Sequence, residues 1–381
     1  EKFFQADFVD MLKLRASYGI GGNIGRNTAP YLIASYYDSS LVDGMAGSVN
    51  TPPNKDIRWE KTTTVNVGVD FALFRHRLSG TIEYYNKYSV DLLAAINGSP
   101  TQGFGYTTLM TNNGKMVNRG VEITLSGEII RQKDFSWNAS LLYAFNRNKV
   151  KHISVQPSLW DSRISMPTSY PMVGKPLYGI YAYKWAGLNE NGDPQVYDAE
   201  NNVTSGPARD YHALVYCGTT VPIHNASLTN VLRYKGFEFS AMLILDAGHK
   251  LRSSNIPSIN MSNGRITSTA KGIVDRWTQP GDVTDVPRLL FSNDTENFNT
   301  HRTELYRYSD LFVYDASNIR LSNISLAYRV PAHWCKKISL SGARLQFNVE
   351  NVATFAFDSK ANYDLGGKVK PNYVWGLYLN F

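Results

Sequence analysis

The feature that most constrains this chain is a period of two that returns in segment after segment, over stretches longer than the strands of most soluble sheets. From Trp59, the residues Thr63, Val65, Val67, Val69 and Phe71 occupy one face, and Thr62, Thr64, Asn66, Gly68 and Asp70 the other. After Arg75 and His76, Leu78, Ile82, Tyr84 and Tyr88 oppose Arg77, Ser79, Thr81, Glu83, Tyr85 and Lys87. Val121, Ile123 and Leu125 alternate with Glu122, Thr124 and Ser126, and Phe135, Trp137, Ala139, Leu141, Tyr143 and Phe145 with Ser136, Asn138, Ser140 and Asn146. Phe237, Phe239, Ala241, Leu243 and Leu245 follow a tight turn at Tyr234 to Gly236. Near the end, Ala343, Leu345, Phe347 and Val349 oppose Arg344, Gln346, Asn348 and Glu350, with the parity switching at Gly342, where a glycine bulge is expected.

The pattern predicts ten strands, at 10–20, 57–73, 77–95, 116–130, 134–149, 223–234, 236–249, 306–328, 338–350 and 372–381. None contains proline, as a ladder that uses every backbone N–H requires. Short links at 74–76, 131–133, 235 and 329–337 alternate with long ones at 21–56, 96–115, 150–222, 250–305 and 351–371. Tight turns on one side and long loops on the other are the pattern of an outer-membrane β-barrel. A soluble β-sandwich also alternates, but its inner face cannot accept charged residues, whereas a wet or plugged lumen can. Most of these strands reach the 9 to 11 residues, roughly, that a tilted membrane strand needs, and aromatics sit at the ends of the apolar face. The fold class read from the pattern is therefore all-β, an antiparallel transmembrane β-barrel with short periplasmic turns and long extracellular loops.

Composition narrows the rest. The 381 residues include 24 Tyr, 17 Phe, 7 Trp and 29 Gly, a mixture suited to strands and polar turns. No run of about 18 apolar residues could form a membrane helix. The net charge of +7 is spread rather than gathered in a stripe, which argues against nucleic acid as a partner. Cys217 and Cys335 have no metal or redox spacing, and fall at opposite ends of the predicted strands, so they cannot pair. No GxSxG, HExxH or phosphate-binding glycine loop occurs, so no enzyme and no cofactor is expected. Glu83, Glu122 and Glu350 read as lumen polar groups facing cations such as Arg77, Lys87 and Arg344, and "NGD" at Asn191 to Asp193 reads as a turn rather than a calcium loop.

The chain opens on Glu1 without a signal peptide, and is expected to be a fragment or a processed product. It ends on "YVWGLYLNF", in which Tyr373, Trp375, Leu377, Leu379 and Phe381 are expected to face lipid and Val374, Gly376, Tyr378 and Asn380 the lumen. Those outward residues are the candidate assembly signal, and the last strand is expected to be the intact end of the barrel.

Several segments carry a family resemblance. "LKLRASYGIGGN" (Leu12 to Asn23), "WEKTTTVNVGVDFALF" (Trp59 to Phe74), "NNGKMVNRGVEITLSG" (Asn112 to Gly127) and "FSWNASLLYAFNRNKV" (Phe135 to Val150) are the first four. "YGIYAYKWAGLNENGDP" (Tyr178 to Pro194), "RWTQPGDVTDVPRL" (Arg276 to Leu289), "DASNIRLSNISLAYRVP" (Asp315 to Pro331), "RLQFNVENVATF" (Arg344 to Phe355) and the terminal strand follow in order. Together they resemble the SusC/RagA-type TonB-dependent transporters over nearly the whole chain. The resemblance implies the last ten strands of a 22-stranded barrel, residues 1–381 being the C-terminal part of that one domain. The plug domain, the TonB box and the first strands would lie upstream.

The same resemblance implies active import of a large nutrient, a glycan or a peptide, across the bacterial outer membrane. The implied partners are a SusD-type surface lipoprotein, the TonB complex acting through the missing N-terminal region, the rest of the barrel and plug, and outer-membrane lipid. Tyr36, Tyr37, Trp160, Tyr170 and Tyr211 are loop aromatics that could stack on sugar rings or pack the loops on one another or on the lipoprotein. The polar loop 250–305 is a candidate partner surface. Two other readings stand beside the importer: a passive porin or structural barrel, and a soluble β-rich glycan-binding module.

Overall fold

The structure is a computed structural model that describes residues 6–25, 30–40, 44–97, 101, 108–155, 162–206, 210–261, 269–291, 300–366 and 370–381. Ten strands form one antiparallel sheet: β1 (Val9–Asn23), β2 (Glu60–Leu73), β3 (Leu78–Asn97), β4 (Thr108–Arg131), β5 (Phe135–His152), β6 (His224–Tyr234), β7 (Phe237–Ala247), β8 (Asn318–Arg329), β9 (Gly342–Ala356) and β10 (Asn372–Asn380). Their order in the sheet is their order in the chain, so every neighbour is reached by an up-and-down connection. All ten expected strands are present.

Register carries the two-faced pattern from strand to strand. Leu12 lies opposite Phe71, Phe71 opposite Gly80, Gly80 opposite Leu125, Leu125 opposite Leu141 and Leu141 opposite Leu228, one outward row across six strands. The inward row beside it runs Lys13, Asp70, Thr81, Thr124. A slip of one residue would exchange these rows, so the contrast between the faces pins the register. Outward Leu14, Tyr18 and Trp375 are each more than two-thirds exposed. An apolar face of this extent is far beyond what a soluble monomer shows to water, and identifies lipid as its solvent.

Several boundaries differ from those expected: the strand expected at 116–130 already begins at Thr108, inside the link expected at 96–115, and two others differ for a reason that burial supplies. The strand expected at 306–328 begins only at Asn318, because Thr300–Arg307 is a helix, Asp310–Phe312 a 3-10 turn and Val313–Asp315 a short strand paired with Lys250–Arg252. That helix buries Leu305 and Tyr306 among the loops, and this burial overrides the alternating look of its sequence. The strand expected at 338–350 runs over Gly342–Ala356, after a helix at Ala332–Lys336 that fills part of the short link. Gly342 is not a bulge: it opens β9 in register with Asn380, and the parity change is the end of a helix and turn. The irregularity lies elsewhere, where the β8–β9 register shifts between Leu321 and Asn323.

The core is not in the wall. Nearly all of the largest fully buried side chains, among them Tyr181, Tyr183, Val196, Ile259, Leu305 and Tyr306, belong to the long connections after β5 and β7. Wall residues divide mainly between lipid and lumen, and the few buried ones, such as Ala72, Val150 and Ala327, are small or β-branched. The connections instead make their own small sheets, Gly179–Tyr183 with Leu214–Thr219 and Trp185–Leu188 with Pro194–Tyr197 and Val203–Thr204. β3 and β4, at 20 and 24 residues, also run well beyond the span a bilayer requires.

Candidate functional site

The inward face of the wall is polar, and its charges are arranged in shared sets. Arg15 on β1 donates through Nε and Nη2 to Asp70 on β2 at 2.7 and 2.9 Å, and through Nη1 to Glu83 on β3 at 3.3 Å. Thr81 Oγ1 adds a bond to Asp70 at 3.0 Å. Glu238 on β7 accepts from Arg233 at 2.7 Å and from Arg344 at 3.2 Å, and Asp246 accepts from Arg320 at 3.0 Å and from Asn225 at 2.7 Å. Charges held this way suit a wet conduit, since pairs open to water contribute little to stability. The cations expected to face the lumen carboxylates are only partly so used. Arg344 reaches a carboxylate, whereas Arg77 donates to the Glu128 and Ile129 carbonyls and Lys87 lies 5.0 Å from the Tyr85 ring centroid. Glu122 stands opposite Glu83 in register, and neither Glu122 nor Glu350 has an ion-pair partner among the described residues.

At the long-loop end, the two largest connections lock into a cap. Arg302, almost fully buried, donates through Nε to Asp193 Oδ1 at 3.1 Å, through Nη1 to the Ile259 carbonyl at 3.1 Å and through Nη2 to the Arg288 carbonyl at 2.7 Å. Arg288 grips the same Asp193 with bonds of 3.0 and 2.7 Å. Burial pushes the Arg302 guanidinium pKa down, and the Asp193 charge opposes that shift. Asp193 is presented by a tight turn in which Asn189 Oδ1 accepts the N–H groups of Asn191 and Asp193, both at 2.9 Å. Gly192 in that turn has φ of 75°, and Trp277 packs where a Cβ would stand. The "NGD" stretch is thus a turn whose carboxylate binds arginines.

A second pin is Arg252, whose Nη2 donates to the Tyr181 carbonyl at 2.6 Å while Nη1 reaches the carbonyls of Arg307 and Ser309. Trp185 ties the same two connections together, its N–H donating to Asp310 at 2.9 Å and its indole Nε1 to Asp285 at 3.1 Å. Neither arginine stands out in the sequence, because each acts on partners far along the chain. At the inner side of the mouth, the β8–β9 irregularity opens a cavity of about 470 Å³ lined by Arg320, Ser322, Asn351, Thr354 and Asn362. Bulges recur beside binding sites because they re-aim side chains.

The aromatics singled out by sequence are not brought together. Tyr36 and Tyr37 lie on the hairpin Ile33–Ser39 with Gly44–Thr51, 71% and 54% exposed, and as consecutive strand residues they face opposite ways. Tyr170 is buried and its carbonyl accepts from Arg163 Nε at 3.4 Å. Tyr211 packs against the cap core, with the Arg163 guanidinium 4.8 Å from its ring centroid. Trp160 lies outside the described residues. Tyr373, Trp375, Leu377, Leu379 and Phe381 are all exposed on the outward face, with Trp375 4.2 Å from Phe347 between ring centroids. Both cysteines are free: Cys217 is half-buried in the cap, and Cys335 buried in the helix of the β8–β9 turn.

Comparison with known proteins places this geometry. The family model described as TonB dependent receptor-like, beta-barrel matches residues 4–352. The TonB-dependent receptor P3 of Formosa agariphila is 26% identical over 392 residues, covering 96% of this chain and 37% of that protein. The TonB-dependent receptor SusC of Bacteroides thetaiotaomicron is 26% identical over 361 residues, covering 89% of this chain and 34% of that protein. The structure of the RagAB peptide transporter superposes with a TM-score of 0.78 at 23% identity, over 100% of this chain and 42% of that one, and so shares the fold. The chain thus spans well under half the length of the relatives it matches. It belongs to the TonB-dependent receptor β-barrel family, and its ten strands are a contiguous stretch of such a barrel's wall in the outer membrane.

Proposed function

We propose that this chain is part of a TonB-dependent importer that takes up a large nutrient, a glycan or a peptide, together with a SusD-type surface lipoprotein. The observation that carries the reading is the pairing of a polar, charge-laced inner wall with a folded extracellular cap, in a chain whose relatives include a protein named SusC and the RagAB peptide transporter. A wall of this polarity can pass a hydrophilic solute, and a cap pinned at Arg302 and Arg252 offers a firm surface for a lid to meet. In this proposal Tyr36 and Tyr37, the accessible aromatics, touch substrate or lipoprotein. Tyr170 and Tyr211 support the cap. The outward residues of β10 serve as the assembly signal.

A passive porin is the competing reading, since an open polar wall conducts without energy. The soluble-module reading is overturned by the apolar outward face and by the outer-membrane family. The discriminating experiment measures uptake of labelled glycans and oligopeptides by cells carrying the full-length gene, with and without a functional TonB complex and with the neighbouring lipoprotein gene deleted. Uptake that requires both supports the importer. Uptake that persists without TonB, or ion conductance by the purified protein alone, assigns a porin.

A further inference from the structure

The up-and-down topology gathers charge that is scattered along the sequence. The four short links with their flanks, 74–77, 131–134, 233–236 and 329–337, hold nine arginines and lysines against one carboxylate, Asp134. All nine are exposed. The long connections at the other end are close to balance: 24–59 carries three acidic and three basic residues, and 250–317 eight of each. An excess of positive charge as large as that of the whole chain, +7, thus collects at the short-link mouth of the wall, the periplasmic one in such a barrel.

At that mouth the arginines of β6, β8 and β9 take the parity that faces the lumen. Arg233 stands opposite Glu238, and Arg329 directly opposite Arg344. Like charges at directly opposed positions destabilise a sheet, a cost that an anion between them removes. Glu238 is already taken on both oxygens, Oε2 by Arg233 Nε at 2.7 Å and Oε1 by Arg344 Nη2 at 3.2 Å. Arg329 and Lys235 have no carboxylate partner among the described residues. These four cations and Glu238 line a cavity of about 130 Å³. Ala327, buried beneath it, is too small to fill the space.

We propose that Arg233, Lys235, Arg329 and Arg344 form an anion site at the periplasmic exit of the conduit, which takes a carboxylate, sulfate or phosphate group of the cargo. Four cations around one carboxylate leave a strong positive excess in the cavity. A guanidinium fork matches two oxygens of such a group, and the cavity has room for the group rather than for a whole sugar or residue. Rings of arginine and lysine are what pores use to favour anions, and a mouth of one sign concentrates solutes of the other. The site stands on the geometry of the wall alone; its ligand rests on the importer reading above, and narrows the cargo to an anionic glycan or peptide.

The first arm of the test purifies the full-length transporter in detergent and titrates it calorimetrically with inorganic sulfate at low ionic strength. One sulfate should bind per molecule. Arg329→Gln should weaken it about tenfold, the low end for a charge-assisted hydrogen bond, and Arg329→Lys should keep most of the binding. Heat-modifiable migration in a gel reports that each variant is folded. No sulfate bound by the wild type, the result if a carboxylate of the upstream polypeptide fills the cavity, or equal binding by folded Arg329→Gln, would overturn the site. The second arm compares TonB-dependent uptake of acidic and neutral oligosaccharides and oligopeptides matched in length. Acidic members should enter faster, and the double variant Lys235→Gln, Arg329→Gln should bring the two rates together. Equal uptake of both kinds by the wild type overturns the anionic cargo while the importer reading stands. Uptake of either kind that does not need TonB removes the importer reading and the cargo with it, and the sulfate titration still decides the site.

Discussion

Asp193 and Arg302 stand 109 residues apart in the chain, and the Arg302 Nε donates to Asp193 Oδ1 at 3.1 Å in the interior of the extracellular cap. Arg302 is 3% exposed, so its charge has been taken out of water and depends on Asp193 and three carbonyl or amide oxygens. Replacing Asp193 with Asn should leave a buried guanidinium without its counter-charge. The expected cost is about 3 kcal/mol, the low end for a broken buried pair because Asp193 keeps some access to water. Faster cleavage by a protease between 184 and 210 and between 276 and 300, with the wall still heat-modifiable, is the expected readout.

Gly120 on β4 lies beneath the ring of Tyr85, and a Cβ there would also stand 2.5 Å from the Phe145 carbonyl. The backbone oxygen cannot move without breaking the ladder. Gly120→Ala is therefore expected to destabilise the folded barrel by roughly 1–3 kcal/mol, the usual cost of overpacking. The double variant Gly120→Ala, Tyr85→Ala should recover only part of the loss, which urea titration of the purified protein can measure.

Burial pushes the Cys217 thiol up to about 11. Against an ordinary thiol, its thiolate fraction at neutral pH should be lower by about a hundredfold, and alkylation should slow in proportion. The rate of maleimide labelling should then climb tenfold per pH unit through pH 9, where an exposed thiol levels off. Early levelling near pH 8.5 would show the thiol to be solvated.

Phe381 is 92% exposed at the outward end of the sheet, and Ser341 Oγ donates to its carbonyl at 3.3 Å. If the last strand is what assembly reads, Phe381→Asp should reduce heat-modifiable protein in the outer membrane several-fold while leaving synthesis unchanged. Pulse-chase labelling with membrane fractionation separates the two.

The ten strands were legible because alternation is a local property: each residue's face follows from its neighbours two positions away. Val67 and Phe71, or Leu141 and Tyr143, declare their side without reference to anything distant, and the contrast of lipid against lumen then sets the register between strands. The alternation of short and long links likewise ordered the strands up and down. What the sequence could not reveal is where the cap is held. Arg302, Asp193 and Arg252 act through bonds to residues from fourteen to over a hundred positions away, and no periodicity marks them. The helix at Thr300–Arg307 misled for the same reason, since Leu305 is buried against a connection that lies a hundred residues earlier in the chain, and Tyr306 against Ile259 from nearly fifty residues before it. Local pattern decided the wall, where each residue chooses between two solvents, and only tertiary structure decided the cap, where burial depends on which distant segments meet.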